Sequence, residues 1–114
     1  MKDFLENLLK NDITPLENFI INDILNTEES SEDIYDYMVN VVSIGGEQGV
    51  IISLIYGKDT EEFCKNFLDE ILEMLDDFCK NTGYVPVKDF TYSNLAWWTY
   101  EQVVKEILYE YGNR

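Results

Sequence analysis

Histidine is absent from this chain of 114 residues, and cations are scarce: 8 Lys and Arg stand against 23 Asp and Glu, a formal net charge of −15. Without His, the commonest general acid–base group and the commonest neutral metal ligand are missing. Any Ser or Cys nucleophile also lacks its usual activator. Cysteine occurs only at Cys64 and Cys79. That is too few for a disulfide framework, and in a reducing compartment both are expected as buried thiols packed like small hydrophobes. On one continuous helix they would stand about 22 Å apart, beyond the reach of a disulfide. No apolar run approaches the ~18 residues of a membrane-spanning helix. The longest, Val50 to Tyr56, contains Ser53, and Glu6 and Asn7 interrupt the apolar residues that a signal peptide would need. A cytoplasmic protein that does not engage membranes is expected.

Other chemistry is missing too. Gly45-Gly46-Glu47-Gln48-Gly49 has neither the Lys of a phosphate-binding loop nor the spacing of a dinucleotide fingerprint. There is no calcium loop with paired Asp residues. Carboxylate pairs such as Glu73 and Asp77 fall on the outer face of a predicted helix, whereas an acid–base pair needs a pocket. No enzyme activity, metal or cofactor is expected. A polyanion with an isoelectric point near 4.1 repels phosphate, which argues against direct nucleic-acid binding.

What the chain does have is a folding composition. Hydrophobic residues make up 46% and aromatics 14%, which disordered acidic chains do not reach. Its length suits one domain, residues 1–114, with a single core. Asp3 to Lys10 reads as a short amphipathic helix. Thr14-Pro15-Leu16-Glu17 is a capping box with Pro at the first helical position, predicting a helix to about Leu25. Ser31 opens another helix, with Glu32 and Asp33 in its first turn, that ends at Gly45-Gly46. Asp59 or Thr60 caps the clearest helix, continuous to about Asn81 and stopped by Gly83. A last helix runs from Ser93 or Asn94 to about Tyr111. Val50 to Tyr56 is compatible with a buried strand or a short buried helix. A lone strand would leave its backbone groups unpaired, which favours helix. The expectation is an all-α fold, a compact single-domain bundle of five or six short helices. The alternative is α+β, with residues 50–56 as a strand.

The acids are patterned. Between Asn11 and Gly57 there is no Lys or Arg, yet the stretch carries Asp12, Glu17, Asp23, Glu28, Glu29, Glu32, Asp33, Asp36 and Glu47. So much like charge destabilises the compact state by self-repulsion, and solubility needs less. On the predicted helix over 60–81, Phe63, Phe67, Ile71, Met74, Leu75 and Phe78 share one face. Glu62, Asp69, Glu73 and Asp76 fall within ~60° of one another on the opposite face, flanked by Glu70 and Asp77. Glu62 to Asp76 would span about 21 Å, a mean carboxylate spacing of about 7 Å. That is about half the charge density of a nucleic-acid strand, which has one phosphate per ~3.4 Å. The flanking row, or Glu28, Glu29, Glu32, Asp33 and Asp36 on a neighbouring segment, would supply the rest. In the last helix, Trp97, Tyr100, Val104, Ile107, Leu108 and Tyr111 fit one buried face. Trp98 and Tyr109 lie on a second side with Leu95, between Gln102 and Lys105. Trp98 is expected either to pack on a neighbouring helix or the Tyr84 to Tyr92 connector, or to serve with Tyr109 as an exposed aromatic anchor.

Leu54-Ile55-Tyr56, Asp59-Thr60 and Phe63, then the acidic helix, then Asn94-Leu95-Ala96-Trp97-Trp98 with Glu101, resemble a group of small acidic proteins of unknown function from gut phages and mobile elements. Those proteins share an "LIYY…DT…F" segment and a "LAWF" box followed by acids. The likeness runs from about Gly45 to Ile107. It departs at Gly57, where the group has a second aromatic, and at Gln102, where it has a second acid. The resemblance brings no catalytic residues; it implies a helical Val50 to Tyr56 and a phage-versus-host setting. In such a setting small acidic proteins are often inhibitors of CRISPR or restriction enzymes. The leading expectation is therefore a non-enzymatic DNA mimic, an anti-CRISPR or anti-restriction protein that blocks the basic nucleic-acid channel of a defence enzyme in the host cytoplasm. Its rivals are an immunity or antitoxin protein capping a basic toxin, and an assembly protein that self-associates, for example as a homodimer, through Trp98 and Tyr109.

Overall fold

In a computed structural model, residues 1–44, 60–87 and 91–113 are described. They form six helices: α1 (Lys2–Leu8), α2 (Pro15–Thr27), α3 (Ser31–Ile44), α4 (Thr60–Asn66), α5 (Leu68–Thr82) and α6 (Tyr92–Gly112). No strand occurs among the described residues, and the architecture is the expected all-α bundle. Val50 to Tyr56 lies outside the described residues.

Helix ends follow local chemistry. At α2 the Thr14 hydroxyl accepts from the Glu17 N–H (3.2 Å), and the Glu17 carboxylate accepts from the Thr14 N–H (3.4 Å), closing the capping box. Helix α3 opens at Ser31 as expected, and the Ser30 hydroxyl just before it accepts from the Asp33 N–H at 3.1 Å. At α6 the cap is Thr91, whose side chain accepts from the Asn94 N–H, so this helix begins before Ser93. Gly83 ends α5 in the left-handed region at φ 79°, where a side chain would be strained.

The predicted single helix over 60–81 is two helices. At Phe67 (φ −120°, ψ 23°) the chain leaves helical geometry for one residue before α5 begins. No glycine or proline marks the place, so sequence pattern alone reads straight through it. Here Phe63, Phe67 and Phe19 of α2 meet as a triangle with ring centroids 5.3–5.5 Å apart.

The core joins all six helices through Leu5; Leu16, Ile20, Ile21 and Ile24; Ile34, Met38 and Val41; Phe63 and Cys64; Ile71; and Ala96, Tyr100, Val103, Val104 and Ile107. Burying each large aliphatic side chain contributes about 1.5–3 kcal/mol. That contribution decides the fate of α1, since seven residues are too few for a helix to persist alone in water. Helix α6 packs on α2, α3 and α4 and is the most enclosed element. Its C-terminal end is tied down by Tyr111, which meets Phe4 edge-on at 5.3 Å and Tyr35 at 6.0 Å. The Cα radius of gyration, 13.6 Å, is close to the ~13 Å of a compact chain this long.

Candidate functional site: carboxylate pocket and aromatic groove

Among the residues singled out from sequence, Glu62 on α4 and Asp69, Glu73, Asp76 and Asp77 on α5 are all exposed. So are Glu29, which precedes α3, and Glu32, Asp33 and Asp36 on it, while Glu28 is half-buried. The break at Phe67 places Glu62 on a different helix from Asp69, Glu73 and Asp76, so the four do not form one straight row. Asp76 is also not unopposed. Its carboxylate pairs with Lys80 at 2.7 Å, as Glu61 pairs with Lys65 at 2.8 Å. Both are exposed i,i+4 pairs, worth about 0.3–0.5 kcal/mol each.

Glu70 has a structural task. Both of its carboxylate oxygens accept from the Leu16 N–H, at 3.3 and 3.2 Å. In the first turn of α2, Pro15 has no N–H and Thr14 already takes that of Glu17. Leu16 is the remaining orphan donor, and Glu70 satisfies it while placing negative charge at the positive end of the helix. The contact spans 54 residues of sequence, so no local pattern announces it. Replacing Glu70 with alanine is expected to cost about 1–2 kcal/mol, the range for a lost helix cap. Urea unfolding should show a lower midpoint with an unchanged slope.

Around Glu70 a pocket of about 200 Å3 opens between the start of α2, α5 and α6. Five carboxylates line it, Glu17, Glu70, Glu73, Asp77 and Glu106, with Thr14, Leu16, Met74 and Val103, and no cation. Glu73 and Asp77, expected on a plain outer face, are thus part of a concave site. Sequence reasoning missed Glu106 and used Glu17 only as a capping residue. Partial burial, then the charges of Glu17 and Glu110, pushes the Glu106 carboxyl above its usual range. No group of acids or cysteines among the described residues has the geometry to hold a metal ion.

Met74, Asp77 and Glu106 also line a second groove, about 590 Å3, between α5 and α6. Phe78, Trp98 and Tyr109 form its apolar wall, with Asn81, Gln102 and Lys105 beside them. Trp98 is not the exposed anchor allowed for above: it is only 8% exposed and meets Phe78 edge-on at 5.7 Å. Phe78 in turn meets Tyr84 of the connector edge-on at 5.6 Å. Tyr109 remains open to solvent, at 71% exposure. The 3.6-residue periodicity of Trp98, Gln102, Lys105 and Tyr109 was the sequence signal for this face.

Cys64 and Cys79 are free thiols. Cys64 is buried and donates to the Tyr92 carbonyl at 3.4 Å, and burial pushes its thiol up to about 11, an inert state. No described helix is long and apolar enough to cross a membrane.

The architecture and this site define a helical protein with a carboxylate pocket that runs into an aromatic groove. Residues 6–113 match the model of a family described as a domain of unknown function (DUF7222), and the chain belongs to that family. No curated protein and no solved structure matches the chain.

Proposed function

We propose that this protein is a non-enzymatic, cytoplasmic inhibitor that presents fixed carboxylates to the basic channel of a nucleic-acid-binding protein, as a DNA mimic. The class of partner is a defence enzyme, a CRISPR effector or a restriction enzyme, and the setting is a phage-infected host. One observation carries the reading. Glu32, Asp33, Asp36, Glu62, Asp69, Glu73 and Asp77 are exposed on folded helices. No Lys or Arg among the described residues forms a salt bridge with any of them. Carboxylates held on helices keep their charge in place before the partner arrives, so little ordering entropy is lost on binding. Net charge of this size steers a cationic partner at rates that fall steeply with ionic strength. An antitoxin that caps a basic toxin would use the same physics with a different partner.

The test is a DNA-cleavage assay on a panel of CRISPR effectors and restriction enzymes, with the protein added at stoichiometric amounts. Inhibition of at least one enzyme is expected, relieved by excess duplex DNA and by raising salt from 50 to 300 mM. Combining Glu32→Gln, Asp36→Asn, Glu62→Gln and Asp69→Asn should weaken inhibition by at least about tenfold, roughly 1.4 kcal/mol, with the helical circular dichroism unchanged. Inhibition indifferent to salt and to these four changes rules out charge mimicry.

A further inference from the structure

The groove between α5 and α6 and the carboxylate pocket beside it make one continuous surface, because Met74, Asp77 and Glu106 line both. One end is apolar, walled by Phe78, Trp98 and Tyr109; the other is lined by acids alone among its ionisable groups. We propose that this surface docks a short amphipathic basic segment of the partner protein, seating an apolar side chain in the groove and a Lys or Arg in the pocket. The inference rests on the reading that the protein binds basic partners, and it names where the specific contact is made.

Charge complementarity selects this occupant. A cation entering the pocket meets Glu17, Glu73, Asp77 and Glu106, none of which forms a salt bridge with a Lys or Arg among the described residues. Partial burial, then repulsion from Glu17 and Glu110, raises the Glu106 carboxyl, and a bound guanidinium would offset the repulsion. The cation of the groove wall, Lys105, is engaged by Glu101 at 3.6 Å and so does not fill the site. A second copy of the chain is a poor occupant, since it brings another −15 to an acidic surface. The apolar end supplies what diffuse charge lacks. Tyr109 is a rigid, solvent-exposed ring beside the half-buried Phe78 and Met74, an arrangement suited to a central anchor residue.

Fluorescence anisotropy with the full chain in 150 mM NaCl tests the assignment. Two labelled twelve-residue peptides are compared, one with four Arg and four Leu at helical spacing, the other with Ser in place of each Leu. The Leu peptide is expected to bind at least about tenfold more tightly and to shift tryptophan emission. Tyr109→Ala should weaken the Leu peptide by about five- to tenfold and leave the Ser peptide unchanged. Asp77→Asn with Glu106→Gln should weaken the Leu peptide by at least about tenfold, whereas Glu29→Gln with Glu32→Gln on the far acidic segment should change it less than about twofold. Equal binding of the two peptides, or equal loss from both pairs of neutralisations, overturns the groove and leaves the inhibitor reading to its cleavage assay. Failure of the Leu peptide to bind overturns the groove too, as does a sedimentation result showing a dimer that Tyr109→Ala dissociates. Loss of inhibition in the cleavage assay with peptide binding intact instead overturns the choice of partner.

Discussion

Replacing Tyr100 with alanine is expected to be the most damaging single change in this protein, costing about 3–5 kcal/mol of stability. Among the described residues Tyr100 is the largest fully buried side chain, on the most enclosed helix. Its loss removes the transfer free energy of a whole ring and leaves a cavity that α2, α3 and α4 cannot close without moving. Domains of this size hold only about 5–15 kcal/mol in total, so the variant sits near the edge of folding. The ring and the hydroxyl separate experimentally. Tyr100 donates to Asp23 on α2 at 3.1 Å, and Tyr100→Phe deletes that bond while keeping the packing. Its expected cost is about 1–2 kcal/mol. The neighbouring Tyr37 hydroxyl is close to that of Tyr100, but it makes no hydrogen bond of good geometry. Tyr37→Phe should therefore change stability by less than about 1 kcal/mol. Urea midpoints for Tyr100→Ala, Tyr100→Phe and Tyr37→Phe in that order of severity would confirm the assignment. A Tyr37→Phe variant as damaged as Tyr100→Phe would show that the two hydroxyls act as a bonded pair.

Alkali is expected to unfold the protein steeply. Burial raises Tyr100 well above 10.0, with the nearby Tyr37 and Asp23 adding to it. Burial likewise raises Tyr37, and Asp23 and Glu28 reinforce the shift. A folded-state pKa above the unfolded value means that the native protein holds its proton more tightly. The associated stability is fully present below the unfolded pKa and is lost as pH rises towards the folded one. For Tyr100 the loss begins near pH 10 and deepens as pH rises further. Tyr37 adds to the loss in the same direction. Cys64 contributes between 9.0 and about 11. Urea midpoints measured at pH 8, 10 and 11 should be level at first and then fall. The tyrosinate absorbance of Tyr37 and Tyr100 should appear together with the loss of helical signal. The Tyr37→Phe, Tyr100→Phe double variant should show a shallower decline. Ionisation of Tyr100 within an intact helical fold would contradict the burial argument.

Much of the fold was legible locally, and the exceptions share a cause. The capping box at Thr14, the stop at Gly83 and the apolar faces are set by bonds and spacings within a few residues, which pattern reading captures. The start of α3 at Ser31 was legible too, whereas α6 begins at Tyr92, a residue or two before the expected Ser93 or Asn94, because Thr91 takes the capping role. The interruption at Phe67 had no local mark. It coincides with an aromatic triangle that includes Phe19 of α2, a contact made only in the folded chain. The acids were legible as a surplus but not as a site. Glu70 looked like one carboxylate in a row, and only its approach to Leu16 reveals a structural cap. Glu17 was legible only as a capping residue and Glu106 carried no signal, since neither lies near Glu73 or Asp77 in sequence.

The amino-acid sequence by itself determined that this protein is helical, strongly acidic and without histidine chemistry, because those properties follow from composition and from periodicities of three or four residues. Tertiary structure alone decided which acids remain exposed, which one caps a helix, and that Trp98 is enclosed while Tyr109 is open. Those outcomes depend on how α2, α5 and α6 converge, and contacts between residues far apart in the chain are settled by packing rather than by any local spacing.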